Sequence, residues 1–449
     1  MLILSKFLKL SLVLLIICSC TNSVKETEKQ DNPKLQLAET ILADKRLDKV
    51  LAKAEQTLKP EDGRFQAGHA YKETWIRDFA TFIEVALEVN PRELIKERLL
   101  LFFDFQGDDG NIIDGYTEVS TVGGYDYRLS KTAPDFKGHK NTVETDQESS
   151  LILAIGRYIR STGEKDILNE VIAGKTVLER CEMALNFLKT KMYSEKYGLI
   201  FGATTIDWTD VQPESDWGVY ITEDTHWCVD VYDNAIYVLA LNEYLEWIKE
   251  DTEKYEFWSA EKESIKTNVR KHLWDEQRKK IIPHRYLEDS PFSGFDEDEI
   301  YYLGGTVYAI MAGFLTEEEI ELSYRKMIAI KELSGAMTIA VINWPPYPLG
   351  SFYEGAGTIP YRYVNTADWT WWGGRTIEAM IETGHLELAY QEISPFLDRV
   401  IKNEGFYEWY SVIDHKHYGN HLFLGAAGAL GKAIKLMKAE ALQIKKNNE

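Results

Sequence analysis

Tyr71-Lys72-Glu73-Thr74-Trp75-Ile76-Arg77-Asp78 runs directly into Phe79, Ile83 and Leu87. Ile76, Phe79, Ile83 and Leu87 stand at i, i+3, i+7 and i+11, one face of a helix, so the stretch places an indole, a guanidinium and a carboxylate at a helix start. Pro91 ends this helix, and a second is expected from Arg92 to Gln106. The same organisation recurs along the chain. Leu151, Ala154, Ile155, Tyr158 and Ile159 form an apolar stripe closed by Ser161-Thr162-Gly163, and a long helix is expected from Asp166 to about Lys191. Further pairs are expected at Ala235–Ile248 with Tyr255–Leu273, Gly304–Ala312 with Glu317–Ile330, and Thr370–Thr383 with Leu386–Ile401. A helix over Asn420–Leu436 is the last and one over Leu35–Leu58 the first.

About twelve helices in antiparallel pairs, joined within pairs by short turns and between pairs by longer aromatic-rich loops, describe an all-α (α/α)6 toroid in one domain. A two-domain all-α protein is the alternative, but no Gly/Ser/Pro-rich linker interrupts the middle of the chain. Strand signals are few and short, as at Gly198–Gly202 and Lys280–Ile282. In a toroid the long loops share one end of the ring, so the segments they carry are expected to meet in one cleft.

The formal charge of −21 disfavours nonspecific binding to nucleic acid, which needs Lys/Arg patches to neutralise phosphates. Lys6 and Lys9 precede the apolar run Leu10–Ile17 and then Cys18-Ser19-Cys20, which reads as a signal peptide too short for a stable span. An aliphatic residue at −3 and a small one at −1 make Cys20 the expected lipid-attachment site of a bacterial lipoprotein; an ordinary secretory cleavage near Ser19 is the alternative. Residues 1–19 are thus expected to be signal peptide, 20–33 a polar tether, 34–441 the catalytic domain and 442–449 a polar tail. The remaining Cys181 and Cys228 form neither a disulfide framework nor a metal-binding spacing.

The chemistry lies in five inter-helix segments. A sugar ring is read by flat aromatic faces and charged hydrogen-bonding groups, and glycosidic cleavage needs two positioned carboxylates. Trp75, Arg77 and Asp78 are candidates for binding a sugar, Asp78 accepting hydroxyls and Arg77 orienting it; the helix dipole alone would also favour Asp78. In Thr142–Glu148, Thr145 and Glu148 suit a capping box, which leaves Asp146 as a candidate general acid or a dipole-stabilised acid. Asp207–Trp217 interleaves Asp207, Asp210, Glu214 and Asp216 with Trp208 and Trp217, and Asp210 is the second candidate for the acid. Its oxygen spacing is not that of an EF-hand loop. Asp368–Arg375 holds Trp369, Trp371, Trp372 and Arg375, with Gly373 and Gly374 allowing close backbone approach to a ligand. Finally, Glu408 stands among Phe406, Tyr407, Trp409 and Tyr410 with no surface role to explain it, which suits a base activating water. His415-Lys416-His417 is a weak metal signal, and no catalytic metal or cofactor is expected.

This order of motifs resembles the six-hairpin glycosidases. The nearest pattern is that of the neutral invertases of glycoside hydrolase family 100, and families 63 and 125 look similar around the Arg-Asp element. The resemblance implies an (α/α)6 fold and inverting hydrolysis, with Asp146 matching the general acid, Glu408 the general base, and Arg77 and Asp78 the substrate-binding pair. Trp372 runs straight into Gly373 without the family's Asn, Glu408 follows Tyr407 where the family has Pro, and Asp207–Trp217 aligns with nothing in it.

The expected function is an exo-acting inverting glycoside hydrolase, lipid-anchored at the cell envelope and acting on oligosaccharides, with Trp75, Trp208, Trp217, Trp371, Trp372, Arg375 and Trp409 lining the subsites. One alternative is a lyase or dehydratase on uronic-acid oligosaccharides, with its base among His69, Tyr71, His226, Tyr407 and His417 and its cation among Arg77, Arg362 and Arg375. Another is a glycan-binding lipoprotein without catalysis.

Overall fold

The computed structural model describes residues 32–140, 143, 145–214, 220–353 and 359–449. Among them are thirteen α-helices: α1 (Pro33–Ala43), α2 (Lys45–Thr57), α3 (Ile76–Val89), α4 (Arg92–Asp104), α5 (Gln147–Thr162), α6 (Val177–Lys191), α7 (Val231–Trp247), α8 (Thr252–Leu273), α9 (Leu303–Met311), α10 (Glu317–Ser334), α11 (Thr370–Glu382), α12 (Leu386–Asn403) and α13 (Leu424–Lys446). None of these is long and apolar enough to cross a membrane.

Packing closes the odd-numbered helices into a ring. α3 packs on α5, α5 on α7, α7 on α9, α9 on α11, α11 on α13, and α13 returns to α3. α2, α4, α6, α8, α10 and α12 lie outside this inner ring, and α1 packs on α13. This is the (α/α)6 toroid, a single domain. Connections from an inner helix to the next outer one are mostly short, while those from outer to inner are long. All the long loops therefore arrive at the N-terminal ends of inner helices.

Short strand pairings bind those loops into a belt at that end. Trp75 pairs with Gly115 and Gly115 with His139. Tyr302 pairs with Asn343, Asp368 with Tyr410, and the Leu424 amide donates to Ala67. The six N-termini thus present their unsatisfied amides and positive dipole ends to one region, which is where buried carboxylates are best tolerated.

The inner ring is tight where side chains are smallest. A Cβ on Gly374 of α11 would lie 2.6 Å from backbone atoms of Ala429 and Leu430 on α13, and one on Gly428 would lie 2.3 Å from the Phe82 Cβ. Gly373 likewise faces Phe396 and Ala340. The glycine pair after the tryptophans thus serves helix–helix contact, not the approach of a ligand.

Several boundaries differ from the sequence expectation. Asp44 accepts the Arg46 amide and splits the first helix in two. The helix expected from Asp166 starts only at Val177: Ala173 and Gly174 take positive φ in a tight hairpin, and Thr176 with Glu179 forms the capping box of α6. α5 has no such box, because Thr145 Oγ1 donates to the Phe201 carbonyl and Glu148 accepts from the Ile112 amide and Lys140. α13 continues to Lys446, into the segment read as a polar tail.

Candidate active site

The first turn of α3 sets the site. Asp78 is buried and its Oδ1 has no hydrogen-bond partner. Burial pushes its carboxyl up to about 7, against the pull of Arg77 and Arg375 and with a further push from Glu408. An unsatisfied buried acceptor costs roughly 1–3 kcal/mol, so its retention calls for a functional reason.

Arg77 turns toward the start of α5. Its Nε donates to Asp146 Oδ2 at 2.6 Å and its Nη2 to Oδ1 at 3.0 Å, while the Tyr232 hydroxyl donates to the same Oδ2 at 2.8 Å. Asp146 has no exposed surface. The guanidinium also lies over Trp208 at 6.0 Å.

The loop between α6 and α7 carries the third acidic group, and it is pinned just before Trp208. Asp207, at φ 55°, accepts the amides of Gly304 (2.6 Å) and Gly305 (2.8 Å) and so caps α9 from a distance in sequence. Desolvation pushes Asp207 up to about 8, opposed by those two amides. Trp208 stacks edge-on to Trp369 and Trp371 at 5.0 Å and packs on Trp372 at 5.7 Å. Its Nε1 is buried without a partner. Asp210 follows, half-buried, its carboxyl raised above the ordinary range by desolvation and by Asp146 and lowered by Arg77.

Glu408 comes from the hairpin Tyr407–Tyr410/His417–His421. Its Oε1 accepts from the Tyr71 hydroxyl at 2.9 Å, and its Oε2 accepts from the backbone and side chain of Asn420 at 2.8 and 2.9 Å. The Tyr363 ring packs on Trp369 at 5.4 Å and Trp409 at 6.1 Å, beside this hairpin. Both Asp210 and Glu408 raise the phenols of Tyr71 and Tyr363, after the larger effect of burial. Of the two carboxyl groups, Glu408 is the one in direct hydrogen bond with a phenol, that of Tyr71.

The remaining expected residues are distributed around this centre. Trp371 is buried and donates from Nε1 to Thr81 Oγ1 at 3.1 Å. Arg375 also donates to Thr81 and stacks among Tyr308, Trp371 and Trp372 at 4.8–5.1 Å, enclosed by the inner ring. Trp372 has no exposed surface. Trp75 meets Tyr125 and His139 edge-on, and Trp409 lies under Tyr418 and beside Tyr363. Trp217 and Cys20 lie outside the described residues. Sequence reasoning missed Tyr232, Tyr363, Asn420 and the capping role of Asp207. None stands in a recognisable motif, apart from Asp207, whose signal was the Asp-Trp-Thr-Asp run itself.

Residues 64–359 match the family model described as Glycosyl hydrolase 94 superfamily, catalytic domain. Among solved structures, the GH63 mannosylglycerate hydrolase from Thermus thermophilus in complex with glucose is similar, with a TM-score of 0.62 and 14% identity over 86% of this chain and 99% of that one. The rhamnosidase from Klebsiella oxytoca with rhamnose bound gives a TM-score of 0.54 at 12% identity, over 90% of this chain and 64% of the other. A GH78 rhamnosidase of Bacillus sp. GL1 gives 0.55 at 15%, over 86% and 34%. At these identities the structural likeness shows the fold. No curated protein sequence matches the chain. The matching family is 94 where the motif order looked nearest to 100, while family 63, also similar in its Arg-Asp element, supplies a structural neighbour.

Proposed function

The chain belongs to the glycosyl hydrolase 94 superfamily, and on that premise we propose that it is an exo-acting, inverting glycosidase in which Asp210 is the general acid and Glu408 the general base. One observation carries this reading: buried Glu408 accepts from the Tyr71 hydroxyl at 2.9 Å, and the half-buried Asp210 acts on that same phenol through its charge. Asp210 is raised by burial and so suited to hold a proton for the leaving oxygen. Glu408 accepts hydrogen bonds from Tyr71 and Asn420 at 2.8–2.9 Å, which fix its position for taking a proton from water.

Asp146, the first choice for the acid from sequence, has another role in this reading. Both its oxygens accept from Arg77, and Oδ2 accepts also from the Tyr232 hydroxyl, so it orients the guanidinium. Asp78 Oδ1 and Trp208 Nε1 are buried without partners near Arg77, an acceptor and a donor that a sugar hydroxyl would satisfy on entering. Trp371, Trp372 and Arg375 fill the ring beneath them, and a closed floor favours a chain end over a chain interior. The lyase alternative finds less support: Arg77 and Arg375 are committed to Asp146 and to Thr81 with its surrounding rings, and His226 to Glu214.

The Ile17–Cys20 sequence anchors this activity to the bacterial envelope through a lipid on Cys20, and Cys20→Ala releases the protein from membranes. The reaction is tested with oligosaccharides and with α- and β-fluorides of glucose, galactose, mannose and rhamnose, following the anomer of the product by proton NMR. Inversion, with loss of turnover in Glu408→Gln, is expected. Retention of configuration, or an unsaturated product absorbing in the ultraviolet, refutes the reading.

A further inference from the structure

A small cavity lies against Trp208, with Thr205, Asp207, Thr209, Asp230 and Tyr232 in its wall. Its volume of about 10 Å³ admits one water-sized group. It borders the site described above: the Tyr232 hydroxyl donates to Asp146, Arg77 lies over the Trp208 ring at 6.0 Å, and Thr209 directly precedes Asp210.

Two polar atoms of the wall residues are left over. Trp208 Nε1 and Thr209 Oγ1 are buried without a hydrogen-bond partner, in residues 5% and 1% exposed. Neither is free to turn and find one. The indole is wedged among Trp369, Trp371 and Trp372 at 5.0–5.7 Å, and Asp207 before it is held by the Gly304 and Gly305 amides. The Thr209 amide donates to the Ile206 carbonyl at 3.2 Å. Orphaned buried groups are costly, so these two call for an occupant.

The wall decides what that occupant is. An indole N–H donates and cannot accept, so it needs an acceptor. The carboxyl groups of Asp207 and Asp230 need a donor: each has about four lone-pair sites, and the amides of Gly304, Gly305 and Asp233 leave some of them over. The occupant must therefore accept and donate at once, as a hydroxyl does. A methyl does neither, and an ammonium cannot accept. A carboxylate cannot donate, and it would be buried without a counter-ion, because no Lys, Arg or His is among the described residues of the wall. On a hexose the primary hydroxyl stands off the ring on a one-carbon arm, so it is the one that reaches into so narrow a recess. We propose that this cavity is a specificity subsite for the primary hydroxyl of a terminal hexose, with Trp208 and Thr209 as its determinants. The inference rests on the glycosidase reading for its sugar, not on which carboxyl is the acid and which the base.

The test takes the full chain and the hexosyl fluoride that it turns over fastest among glucosyl, galactosyl and mannosyl, and compares kcat/KM with that of the matched 6-deoxy and uronosyl fluorides. Both are expected to be poorer by roughly a hundredfold or more, the first leaving the buried groups unpaired and the second burying a charge. Thr209→Val keeps the shape and removes the hydroxyl. It is expected to lower kcat/KM of the parent fluoride roughly tenfold and to leave that of the 6-deoxy fluoride within about twofold, with Tm not lowered. A 6-deoxy fluoride that wild type turns over as well as its parent overturns the subsite and leaves the glycosidase reading standing. Equal losses on both substrates in Thr209→Val overturn the subsite too. If no hexosyl fluoride is hydrolysed, the glycosidase reading falls, and calorimetry of the free hexoses decides the subsite. Binding roughly tenfold or more tighter than that of the 6-deoxy sugar upholds it, and equal or absent binding overturns it.

Discussion

Arg77 closes on Asp146 through two hydrogen bonds, Nε to Oδ2 at 2.6 Å and Nη2 to Oδ1 at 3.0 Å, and thereby links the first turn of α3 to the start of α5. Asp146→Asn removes the charge but not the shape. It is expected to leave Arg77 misplaced, with kcat about 10- to 100-fold lower. It also replaces a charged acceptor of two Arg77 hydrogen bonds by a neutral one, which costs about 1–2 kcal/mol of stability. Steady-state kinetics and denaturant unfolding measure the two effects. An unaltered kcat removes Asp146 from the site.

Asp210→Asn separates acid from base. Turnover of an O-glycoside should fall about 10²- to 10⁴-fold, while the matched glycosyl fluoride, which needs no proton on its leaving group, should be largely spared. The raised carboxyl of Asp210 places the alkaline limb of the O-glycoside profile above the range of an ordinary carboxylate. That limb is expected to vanish in the variant's fluoride profile. Equal losses on both substrates reject Asp210 as the acid.

Stability should decline with rising pH. Burial raises Asp230 to about 6, Asp78 and Asp114 to about 7, and Asp207 to about 8. Each raised group binds a proton in the folded chain that the unfolded chain has already lost. Its contribution is complete below about pH 4, the unfolded value, and is lost as pH rises through the folded value, by at most roughly 1.4 kcal/mol per pH unit for each group. Thermal melts between pH 5 and 8.5 should show Tm falling and then levelling above about 8. A Tm that climbs across this window contradicts the burial of these acids.

Gly374→Ala tests the packing of the inner ring. The added Cβ would meet the backbone of Ala429 and Leu430 at 2.6 Å, where no side chain can swing aside, so a loss of about 3 kcal/mol is expected. Gly405→Ala, with no heavy atom within 4 Å of its Cβ, should stay within about 0.5 kcal/mol of wild type. Denaturant midpoints of the two variants are the comparison, and equal midpoints refute close contact of α11 with α13.

Much of this protein was legible locally. Apolar spacing marked the helices, because a helix buries the face that its own sequence repeats. Glu408 was conspicuous because a lone carboxylate among aromatic rings has no local explanation. The Thr145/Glu148 capping box was also a sound local expectation, yet Thr145 and Glu148 are taken by Phe201, Ile112 and Lys140. Tertiary partners outbid the local ones.

The amino-acid order by itself determined the helical hairpins, the loops that carry acids and indoles, and the end of the ring where they gather. Only the tertiary structure decided which acid has which character. Asp146 and Asp210 look alike along the chain, but Arg77 of α3 forms hydrogen bonds with the first at 2.6 and 3.0 Å, whereas burial raises the second although the same guanidinium pulls it down. Helix periodicity is a property of nearest residues, whereas a carboxyl group's chemistry belongs to the whole set of elements that closes around it.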